Sequence, residues 1–428
     1  MKNIISFFTL FLFSFLTYAQ SKTTVKADTL PAPFATKSAQ NFSKVVGWKD
    51  DEKPTAPQGF VVEKYADGFE NPRWMYITPN GDILVAESNS NHSLLEQVGG
   101  TIIGASKATN LNHSADRITL LRDVNKDGIP EKRDTFLTAA NGLKQPLGML
   151  VIGNWLYVAN TNALVRFPYK VGQTKIDAQA EKIVDLPAGG RHWTKNIITN
   201  ADSSKIYIAI GSGSNIAEGG IDKELLRADI LEINLDGSGL IVYASGIRNP
   251  VGMGWAPGTK TLWTVVNERD ELGDDLVPDY FTSVKPGGFY GWPYSYYGQH
   301  IDPRVKETKP ELVKKSIVPD ISIGAHTASL GLIFYNATAF PKKYQGGAFI
   351  AQHGSWNRSV LSGYKVLFIP FKNGKPSGKA EDFLTGFIAN LEKNEVHGRP
   401  VGLAVMKDGT LLLTDDKTNT IWSVRAVK

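Results

Sequence analysis

Residues 401–414 read VGLAVMKDGTLLLT. An apolar segment leads into a turn at Asp408 and Gly409, and a second apolar segment follows it. Short apolar segments joined by an Asp-Gly turn predict two antiparallel β-strands. One small sheet of such strands cannot bury both of its faces by itself.

The same unit recurs about six times along the chain. The copies lie at residues 75–85, 147–158, 196–210, 251–265, 329–351 and 401–414. Stacking such sheets around an axis buries their faces against each other. The sequence therefore predicts an all-β fold, a six-bladed β-propeller, with a β-sandwich or several small β domains as the alternatives. Residues 60–64 are expected to pair with the last unit and close the ring.

The first 20 residues have the pattern of a signal peptide. Lys2 precedes an apolar stretch at residues 4–16, and cleavage is expected near Ala19 or Gln20. The stretch is short for a membrane-spanning helix, and an uncleaved anchor is the alternative. We expect a linker or N-terminal arm at residues 21–56, a propeller at residues 57–428, and a periplasmic or secreted protein without an integral membrane segment after cleavage.

Composition excludes several kinds of chemistry. The 428 residues contain no cysteine, which excludes disulfides, thiolate metal sites, covalent haem attachment and a cysteine nucleophile. The net charge of +5 is dispersed and forms no Lys/Arg run, so nucleic acid is not an expected partner.

Candidate site residues precede or follow the predicted inner strands, where propeller loops converge. A neutral imidazole at His192 could act as a general base, although a lone histidine is often structural. Arg248 offers a planar fork for a carboxylate, and Asn249 offers a neutral donor and acceptor. A surface ion pair is the alternative for Arg248.

Further charged loops follow the fourth and fifth units. Residues 267–275, NERDELGDD, form an acidic loop that suits Ca²⁺, and residues 285–294 are dense in Gly and aromatic residues, which suits either a ring-binding wall or core packing. Residues 353–358 read HGSWNR, and Arg399 enters the sixth unit. Together with Arg248, Arg358 and Arg399 predict a cationic cluster for a polyanionic ligand.

A separate stretch, residues 123–134, reads DVNKDGIPEKRD. Its spacing is close to that of an EF-hand loop, with oxygen-bearing side chains at positions 1, 3, 5, 9 and 12 and Gly128 at the sixth position. The predicted Ca²⁺ ligands are Asp123, Asn125, Asp127, the carbonyl of Ile129, and Asp134. An acidic turn without a metal is the alternative.

These motifs together resemble the glucose/sorbosone dehydrogenase family. The resemblance rests on His192, residues 248–250, the acidic loop, residues 287–293 (GGFYGWP) and residues 398–399, and it extends from about Pro57 to the C-terminus. It implies a soluble, periplasmic sugar dehydrogenase on a six-bladed propeller that uses pyrroloquinoline quinone (PQQ). Residues 115–118, 123–134 and 353–358 are similar to the sorbosone-dehydrogenase-like branch.

The resemblance also implies roles for individual residues. PQQ carries three carboxylates and an orthoquinone, which Ca²⁺ polarises. His192 matches the base, and Gln145 a substrate-contacting glutamine. Cofactor contacts fall on Arg248, Asn249, Arg399 and, in place of a lysine, His353 or Arg358. The carbonyls of Asp270 and Glu271 match calcium ligands, where the glucose dehydrogenases have Gly-Pro.

One departure concerns the base itself, because Arg191 stands where the glucose dehydrogenases have an aspartate. The expected function is oxidation of an aldose or sorbosone-type sugar, with an electron acceptor that the sequence does not identify. Two alternatives remain open: a Ca²⁺-dependent, lactonase-like hydrolase and a non-catalytic carbohydrate- or protein-binding propeller.

Overall fold

The computed structural model describes residues 30–91, 106, 108 and 113–427. The predicted signal peptide lies outside the described residues. Within these ranges no helix is both long and apolar enough to cross a membrane. The described part of the chain contains the helix α1 (Pro310–Lys315) and 3₁₀ helices at Ala139–Asn141, Ile221–Glu224 and Lys342–Tyr344.

Short β-strands make up most of the regular secondary structure of the described chain. The first sixteen are β1 (Lys44–Val45), β2 (Phe60–Ala66), β3 (Pro72–Ile77), β4 (Ile83–Glu87), β5 (Arg117–Arg122), β6 (Lys132–Leu137), β7 (Met149–Ile152), β8 (Trp155–Ala159), β9 (Ala163–Pro168), β10 (Glu181–Asp185), β11 (Lys195–Thr199), β12 (Lys205–Ile210), β13 (Asp229–Asn234), β14 (Ile241–Ser245), β15 (Pro250–Trp255) and β16 (Leu262–Val266).

The remaining strands are β17 (Pro278–Val284), β18 (Gly288–Phe289), β19 (Ser295–Tyr296), β20 (His300–Ile301), β21 (Ile321–Ala325), β22 (Ser329–Phe334), β23 (Ala348–Gln352), β24 (Lys365–Ile369), β25 (Phe371–Lys372), β26 (Lys375–Pro376), β27 (Glu381–Leu384), β28 (Ile388–Asn390), β29 (Glu395–Val396), β30 (Pro400–Val405), β31 (Leu411–Asp415) and β32 (Thr420–Ala426).

Six sheets of four or five strands are formed by the described residues. In chain order, sheet 1 is β3-β4-β5-β6, sheet 2 is β7-β8-β9-β10, sheet 3 is β11-β12-β13-β14-β18, sheet 4 is β15-β16-β17-β21, sheet 5 is β22-β23-β24-β27 and sheet 6 is β30-β31-β32-β2. Neighbouring strands in these sheets are antiparallel except for β14 and β18, which pair in parallel. The smaller sheets are β1-β29-β28, β19-β20 and β25-β26.

Hydrophobic clusters fill the spaces between consecutive sheets. Leu84 and Ile118 of sheet 1 pack with Leu156 and Val158 of sheet 2, for example. Equivalent clusters join sheets 2 and 3, 3 and 4, 4 and 5, 5 and 6, and 6 and 1. Because both faces of each sheet are covered, β4, β16, β23 and β31 are buried along their whole length. The all-β, propeller-like fold predicted from the sequence is therefore confirmed.

The first strands of the six sheets lie next to one another. Strand β3 contacts β7, β7 contacts β11, β11 contacts β15, β15 contacts β22, β22 contacts β30, and β30 contacts β3. Glycines permit this close approach. A Cβ atom would lie between 2.3 and 2.6 Å from a backbone atom of the next first strand at four positions: Gly148 against Ile197, Gly252 against Leu332, Gly331 against Val401, and Gly402 against Arg73.

Strand β2 completes sheet 6 from the other end of the chain. It pairs with β32 in antiparallel register, with Phe60 opposite Ala426 and Val62 opposite Val424. The predicted pairing of residues 60–64 with the last unit is confirmed. Upstream of β2, β1 pairs in parallel with β29, and Trp48 Nε1 donates to Asp415 Oδ2 at 3.1 Å. Residues 44–48 are thus attached to sheet 6 and to the hairpin that precedes its first strand.

The close approach at Gly331 predicts a large effect of a single methyl group. We expect Gly331→Ala to lower the free energy of unfolding by about 1–3 kcal/mol, because its Cβ would lie 2.3 Å from the carbonyl oxygen of Val401. Urea denaturation measures the change. Gly219→Ala is the matched control, since a Cβ there meets its nearest atom, Lys223 Cδ, at 3.4 Å. Equal effects of the two substitutions would contradict this role of Gly331.

Candidate functional site

A cavity of about 300 Å³ lies where loops of sheets 3, 4 and 5 meet. Its lining contains two histidines, three carboxylates and two arginines. The lining residues are Arg191, His192, Arg248, Asn249, Asn267, Glu268, Asp270, Asp279, His326, Ala328 and Trp356. A larger cavity, of about 380 Å³, is lined by Trp263, Asp320 and Lys375 among others and contains none of the predicted site residues.

The topology explains why these residues meet. His192 precedes β11, Arg248 and Asn249 precede β15, and the acidic loop follows β16. Because neighbouring strands run in opposite directions, the start of a sheet's first strand and the end of its second strand lie at the same end of the sheet. These ends of sheets 3, 4 and 5 lie next to one another, so residues that are distant in sequence line one cavity.

His192 is held as a neutral imidazole with a defined tautomer. Its Nδ1 lies 2.8 Å from the carbonyl oxygen of Ser212, and a carbonyl can only accept a hydrogen bond. Nδ1 therefore carries the proton and Nε2 is the basic nitrogen. Burial lowers the pKa of His192 to about 3, and the charge of Arg248 acts in the same direction. Ser212 thus orients the imidazole, whereas Arg191, where the glucose dehydrogenases have an aspartate, has a half-exposed side chain 3.9 Å from Glu218.

Gly211 lets His192 and Asn249 lie side by side. A Cβ at Gly211 would lie 2.3 Å from Asn249 Oδ1 and 2.5 Å from His192 Cβ. Asn249 Oδ1 is buried, as is Glu268 Oε1, and no hydrogen-bond donor of the described chain reaches either atom. Two unsatisfied oxygens in one cavity suit a bound cation or a ligand that donates hydrogen bonds.

Arg248 is committed to the acidic loop. Its guanidinium donates to the carbonyls of Asn267, Glu268 and Asn215, and to the side chains of Asn215 and Asp270. The ion pair with Asp270 measures 3.0 Å, and the Arg248 side chain is 3% exposed. Arg248 therefore fixes the loop that forms the cavity wall, and its hydrogen-bonding groups are already occupied by the protein.

His326, which the sequence analysis missed, is a second histidine of the cavity. Its Nε2 lies 2.9 Å from the carbonyl oxygen of Gly273 and its Nδ1 lies 3.5 Å from Asp270 Oδ1. Burial disfavours the charged imidazole, but Asp270 and the Gly273 carbonyl outweigh it and raise the pKa of His326. Burial likewise opposes ionisation of Asp270, yet Arg248 and His326 lower its pKa. No sequence motif marks His326, which lies between β21 and β22.

Two further carboxylates form the inner wall of the cavity. Burial raises the pKa of Asp279 to about 6, and its oxygens accept hydrogen bonds from the Glu268 amide and the Thr327 hydroxyl. Glu268 pairs with Arg269, which is completely buried. Arg269 also donates to the carbonyls of Pro293 and Ser295. The Gly- and aromatic-rich segment at residues 285–294 and the residue after it thus bind the acidic loop through Arg269.

The acidic loop presents different atoms from those expected. The Asp270 carbonyl accepts hydrogen bonds from Arg304 at 2.7 Å and Asn215 at 3.2 Å, and Glu271 is exposed with its amide bonded to Asn357. The Asp270 carboxylate, not its carbonyl, lines the cavity beside Arg248 and His326. The Asp270 carbonyl thus already has partners in the protein, and the calcium role expected of the Asp270 and Glu271 carbonyls stays a prediction.

His353 and Arg399 form a neighbouring cluster outside this cavity. His353 Nε2 lies 2.9 Å from Asp416 Oδ1, and Arg73 binds the other oxygen of Asp416 at 2.7 Å. Arg399 donates to the carbonyls of His353, Gly354 and Ala108. The Arg73 guanidinium lies 5.8 Å from the ring of Trp193, which follows His192 in the chain, so this cluster is close to the cavity.

Two other predicted residues have local partners. Arg358 binds Asp275 Oδ1 at 2.7 Å at the surface. Gln145 is buried, and its Nε2 donates to the carbonyl of Asn89 at 2.8 Å. Since Arg248, Arg399 and Arg358 bind carbonyls or carboxylates of the protein, they do not form the expected free cationic cluster.

The calcium-like loop between β5 and β6 gathers three carboxylates. Carboxylate oxygens of Asp123, Asp127 and Glu131 lie within 4.8 Å of one another. Asn125 Nδ2 donates to Asp127, whereas Asp134 belongs to β6 and lies 3.3 Å from Lys132. Glu131, the oxygen-bearing side chain at the ninth position, thus lies with Asp123 and Asp127, and Asp134 lies outside this group. The amide of Ile129 donates to Asp127 Oδ1.

The low pKa of His192 makes a spectroscopic prediction. The folded protein should keep this imidazole neutral down to about pH 5, whereas an unfolded histidine takes up a proton near pH 6.5. Because only the unfolded state binds this proton, acidification through that interval should lower stability. ¹⁵N NMR of histidine-labelled protein, with His192→Ala to assign the signal, measures the titration. A midpoint above about pH 5 would contradict the buried, neutral state.

Comparisons with known proteins place this chain in a family. A protein of Borreliella burgdorferi that carries no functional name is 30% identical over 308 residues, which cover 68% of this chain and 79% of that protein. A calcium structure of the Trichoderma reesei Carbohydrate-Active Enzymes Family AA12 matches with a TM-score of 0.70 and 17% identity, over 90% of this chain and 99% of that one.

The holo form of the pyranose dehydrogenase PQQ domain from Coprinopsis cinerea matches with a TM-score of 0.68 and 17% identity, over 90% of this chain and all of that one. At this identity the two structures show a shared fold. The TrAA12-like family model matches residues 54–287 and 299–427. The likeness to PQQ sugar dehydrogenases is thereby confirmed, and the chain belongs to the TrAA12-like family.

Proposed function

We propose that this protein is a six-bladed β-propeller that oxidises a sugar with PQQ, in the cavity lined by His192. The closed series of contacts between the six first strands supports the propeller, with each larger sheet as one blade. The observation that carries the function is the state of His192, a neutral base with Nε2 unprotonated in a cavity that also contains a fixed ion pair.

His192 would remove the proton from a substrate hydroxyl group. The unprotonated Nε2 offers a lone pair to that proton at neutral pH. A general base is most effective with a pKa near the operating pH, so binding of the anionic cofactor and the substrate would have to raise the low pKa of His192. Ser212 holds the ring in place during the transfer through its carbonyl and hydroxyl, which lie 2.8 and 3.0 Å from Nδ1. When bound, PQQ supplies the two-electron oxidant that accepts the hydride from carbon.

The cavity residues fit PQQ in a different way from the one that the sequence suggested. Among the cations that line the cavity, Arg191 is the most exposed, with 54% of its side chain accessible, compared with 3% for Arg248 and 2% for His326. Arg191 is thus the guanidinium available to a cofactor carboxylate, and Trp356 offers a ring that a planar cofactor can stack on. Arg248 would act indirectly, by holding the acidic loop.

A Ca²⁺ ion would be held by side chains rather than by the Asp270 and Glu271 carbonyls. Glu268 Oε1 and Asn249 Oδ1 are buried oxygens without donors in the described structure, and the carboxylate of Asp270 lines the same cavity. Oxygen ligands of this kind are what Ca²⁺ prefers. The same atoms would serve a Ca²⁺-dependent hydrolase, so the lactonase-like alternative differs in whether PQQ is needed.

An aldose or a sorbosone-type sugar is the proposed substrate, since a hydroxyl-bearing carbon is what a base and a hydride acceptor can oxidise together. The proposed location is the periplasm or the exterior, in keeping with the leader pattern of residues 1–20. No partner is assigned as the electron acceptor that reoxidises the cofactor.

Reconstitution tests the proposal directly. The purified protein is titrated with PQQ and Ca²⁺, and sugar-dependent reduction of an artificial dye is followed. His192→Ala should bind PQQ with unchanged affinity and lose about 10²- to 10⁴-fold in kcat, because the general base is removed. Binding is measured by absorbance or calorimetry and turnover by dye reduction.

The control is His300→Ala, which removes an exposed histidine whose Nδ1 lies 3.0 Å from the Tyr297 carbonyl. This variant should keep full activity. Absence of PQQ binding by the unchanged protein would refute the proposal, and full activity of His192→Ala would refute the base assignment. Lactone hydrolysis with Ca²⁺ alone would support the hydrolase, and sugar binding without turnover would support a binding propeller.

The loop at residues 123–131 is proposed as a separate, structural Ca²⁺ site. Terbium luminescence should report a bound ion that Asp123→Asn weakens by about tenfold or more, because Asp123 faces both Asp127 and Glu131. Asp236→Asn, in an exposed turn of sheet 3, is the control. Equal terbium affinity of both variants would contradict a metal site in this loop.

A further inference from the structure

The segment at residues 34–42, called here the arm, runs across two loops that form the cavity. One is the acidic loop of sheet 4, and the other, residues 353–359, follows β23 of sheet 5. We propose that the arm is a positioning element of the site and that the ring of Phe42 fixes the cavity wall at Trp356. This inference uses the ligand named under the proposed function but rests on contacts of the chain itself.

The arm is hydrogen-bonded to the acidic loop at successive positions. The Phe34 amide donates to the Leu272 carbonyl at 2.8 Å, Gly273 donates to Ser38 Oγ at 3.1 Å, and Asp274 donates to Thr36 Oγ1 at 2.8 Å. The approach is close, because a Cβ at Gly273 would lie 2.9 Å from Thr36 Oγ1. The Gly273 carbonyl accepts from His326, so this contact leads from the arm to a residue of the cavity.

The arm is also attached to the second loop. The Asn41 amide donates to the Trp356 carbonyl at 2.7 Å, and the Phe42 ring stacks on the Trp356 ring with centroids 5.9 Å apart and planes 12° apart. Trp356 lines the cavity and is half-buried, and the Phe42 ring packs against its indole. Without that ring, the indole would have fewer packing partners to hold its rotamer.

Asn357 connects the arm and both loops at one point. Its side chain is buried, with Nδ2 donating to the Ala39 carbonyl and Oδ1 accepting from the Glu271 amide, at 2.9 and 2.8 Å. The two loops are further joined by Arg358 to Asp275 and by the Ser359 amide to Asp274. This side of the cavity is therefore held by contacts among the two lining loops and the arm, and the arm is the segment that lies outside the repeating units.

The arm has anchors on either side of Phe42 that do not depend on its ring. Phe34 is hydrogen-bonded upstream, and β1 and Trp48 are attached to sheet 6 downstream. Phe42→Ala should therefore leave the fold and the course of the arm intact and loosen only the Trp356 side of the cavity. The variant therefore tests whether the Phe42 ring positions the cavity wall, without a loss of overall stability that would have the same effect.

Hydrogen exchange of the ligand-free protein is the first test. Phe42→Ala should accelerate exchange about two- to tenfold at the amides of residues 41, 271, 273 and 274, with the sheets unchanged, as expected for the loss of one aromatic pair. Phe34→Ala is the matched control, since its side chain is 55% exposed and its amide hydrogen bond remains. Phe42→Tyr should restore exchange to that of the unchanged protein.

Titration with PQQ in the presence of Ca²⁺ is the second test. Phe42→Ala should raise the Kd about two- to tenfold, while Phe34→Ala and Phe42→Tyr should match the unchanged protein. Unchanged exchange in Phe42→Ala, acceleration throughout all sheets, or an unchanged Kd would overturn the inference. If the unchanged protein binds no PQQ, the proposed function fails, and hydrogen exchange still decides the role of the arm.

Discussion

The close approach of the first strands is the constraint on which the rest of the structure depends. At Gly148, Gly252, Gly331 and Gly402 there is no room for a side-chain carbon between one first strand and the next. Near the centre, Val251, Leu330 and Val401 pack with one another and with Trp74. This central packing holds the first strands of the sheets together. The loops with His192, Arg248 and His326 meet in one cavity because they precede those strands.

Electrostatics inside that cavity follow from burial. Burial keeps His192 neutral, whereas Asp270 favours the charged form of His326, and Asp270 in turn is kept ionised by Arg248 and His326. The two histidines thus have opposite pKa shifts, because burial and the charge of Arg248 oppose a charge on His192, whereas the Asp270 carboxylate favours a charge on His326. The cavity therefore contains the neutral imidazole of His192 beside the charged groups of Arg248, Asp270 and His326, which stabilise one another.

The loop residues illustrate how far sequence reasoning reached. The turn before each first strand marked His192, Arg248 and Asn249 correctly as neighbours, since the repeat fixes which loops converge. The sequence could not show that main-chain carbonyls bind Arg248 and Arg399, because every residue has a carbonyl and a side-chain motif does not indicate which one is near. His326 was missed for a similar reason, as its role depends on Asp270 and Gly273, which lie more than 50 positions earlier.

The sequence by itself determined the repeat, the all-β class, the family and the pairing of residues 60–64 with the last strand, because strand periodicity and turn chemistry are local properties. Only the tertiary structure decided which atoms face the cavity. It directed the Asp270 carboxylate inward, joined Glu131 rather than Asp134 to Asp123 and Asp127, and laid residues 34–42 across the site. The orientation of a carbonyl, a carboxylate or an arm is set by contacts between distant segments, which a one-dimensional pattern does not contain.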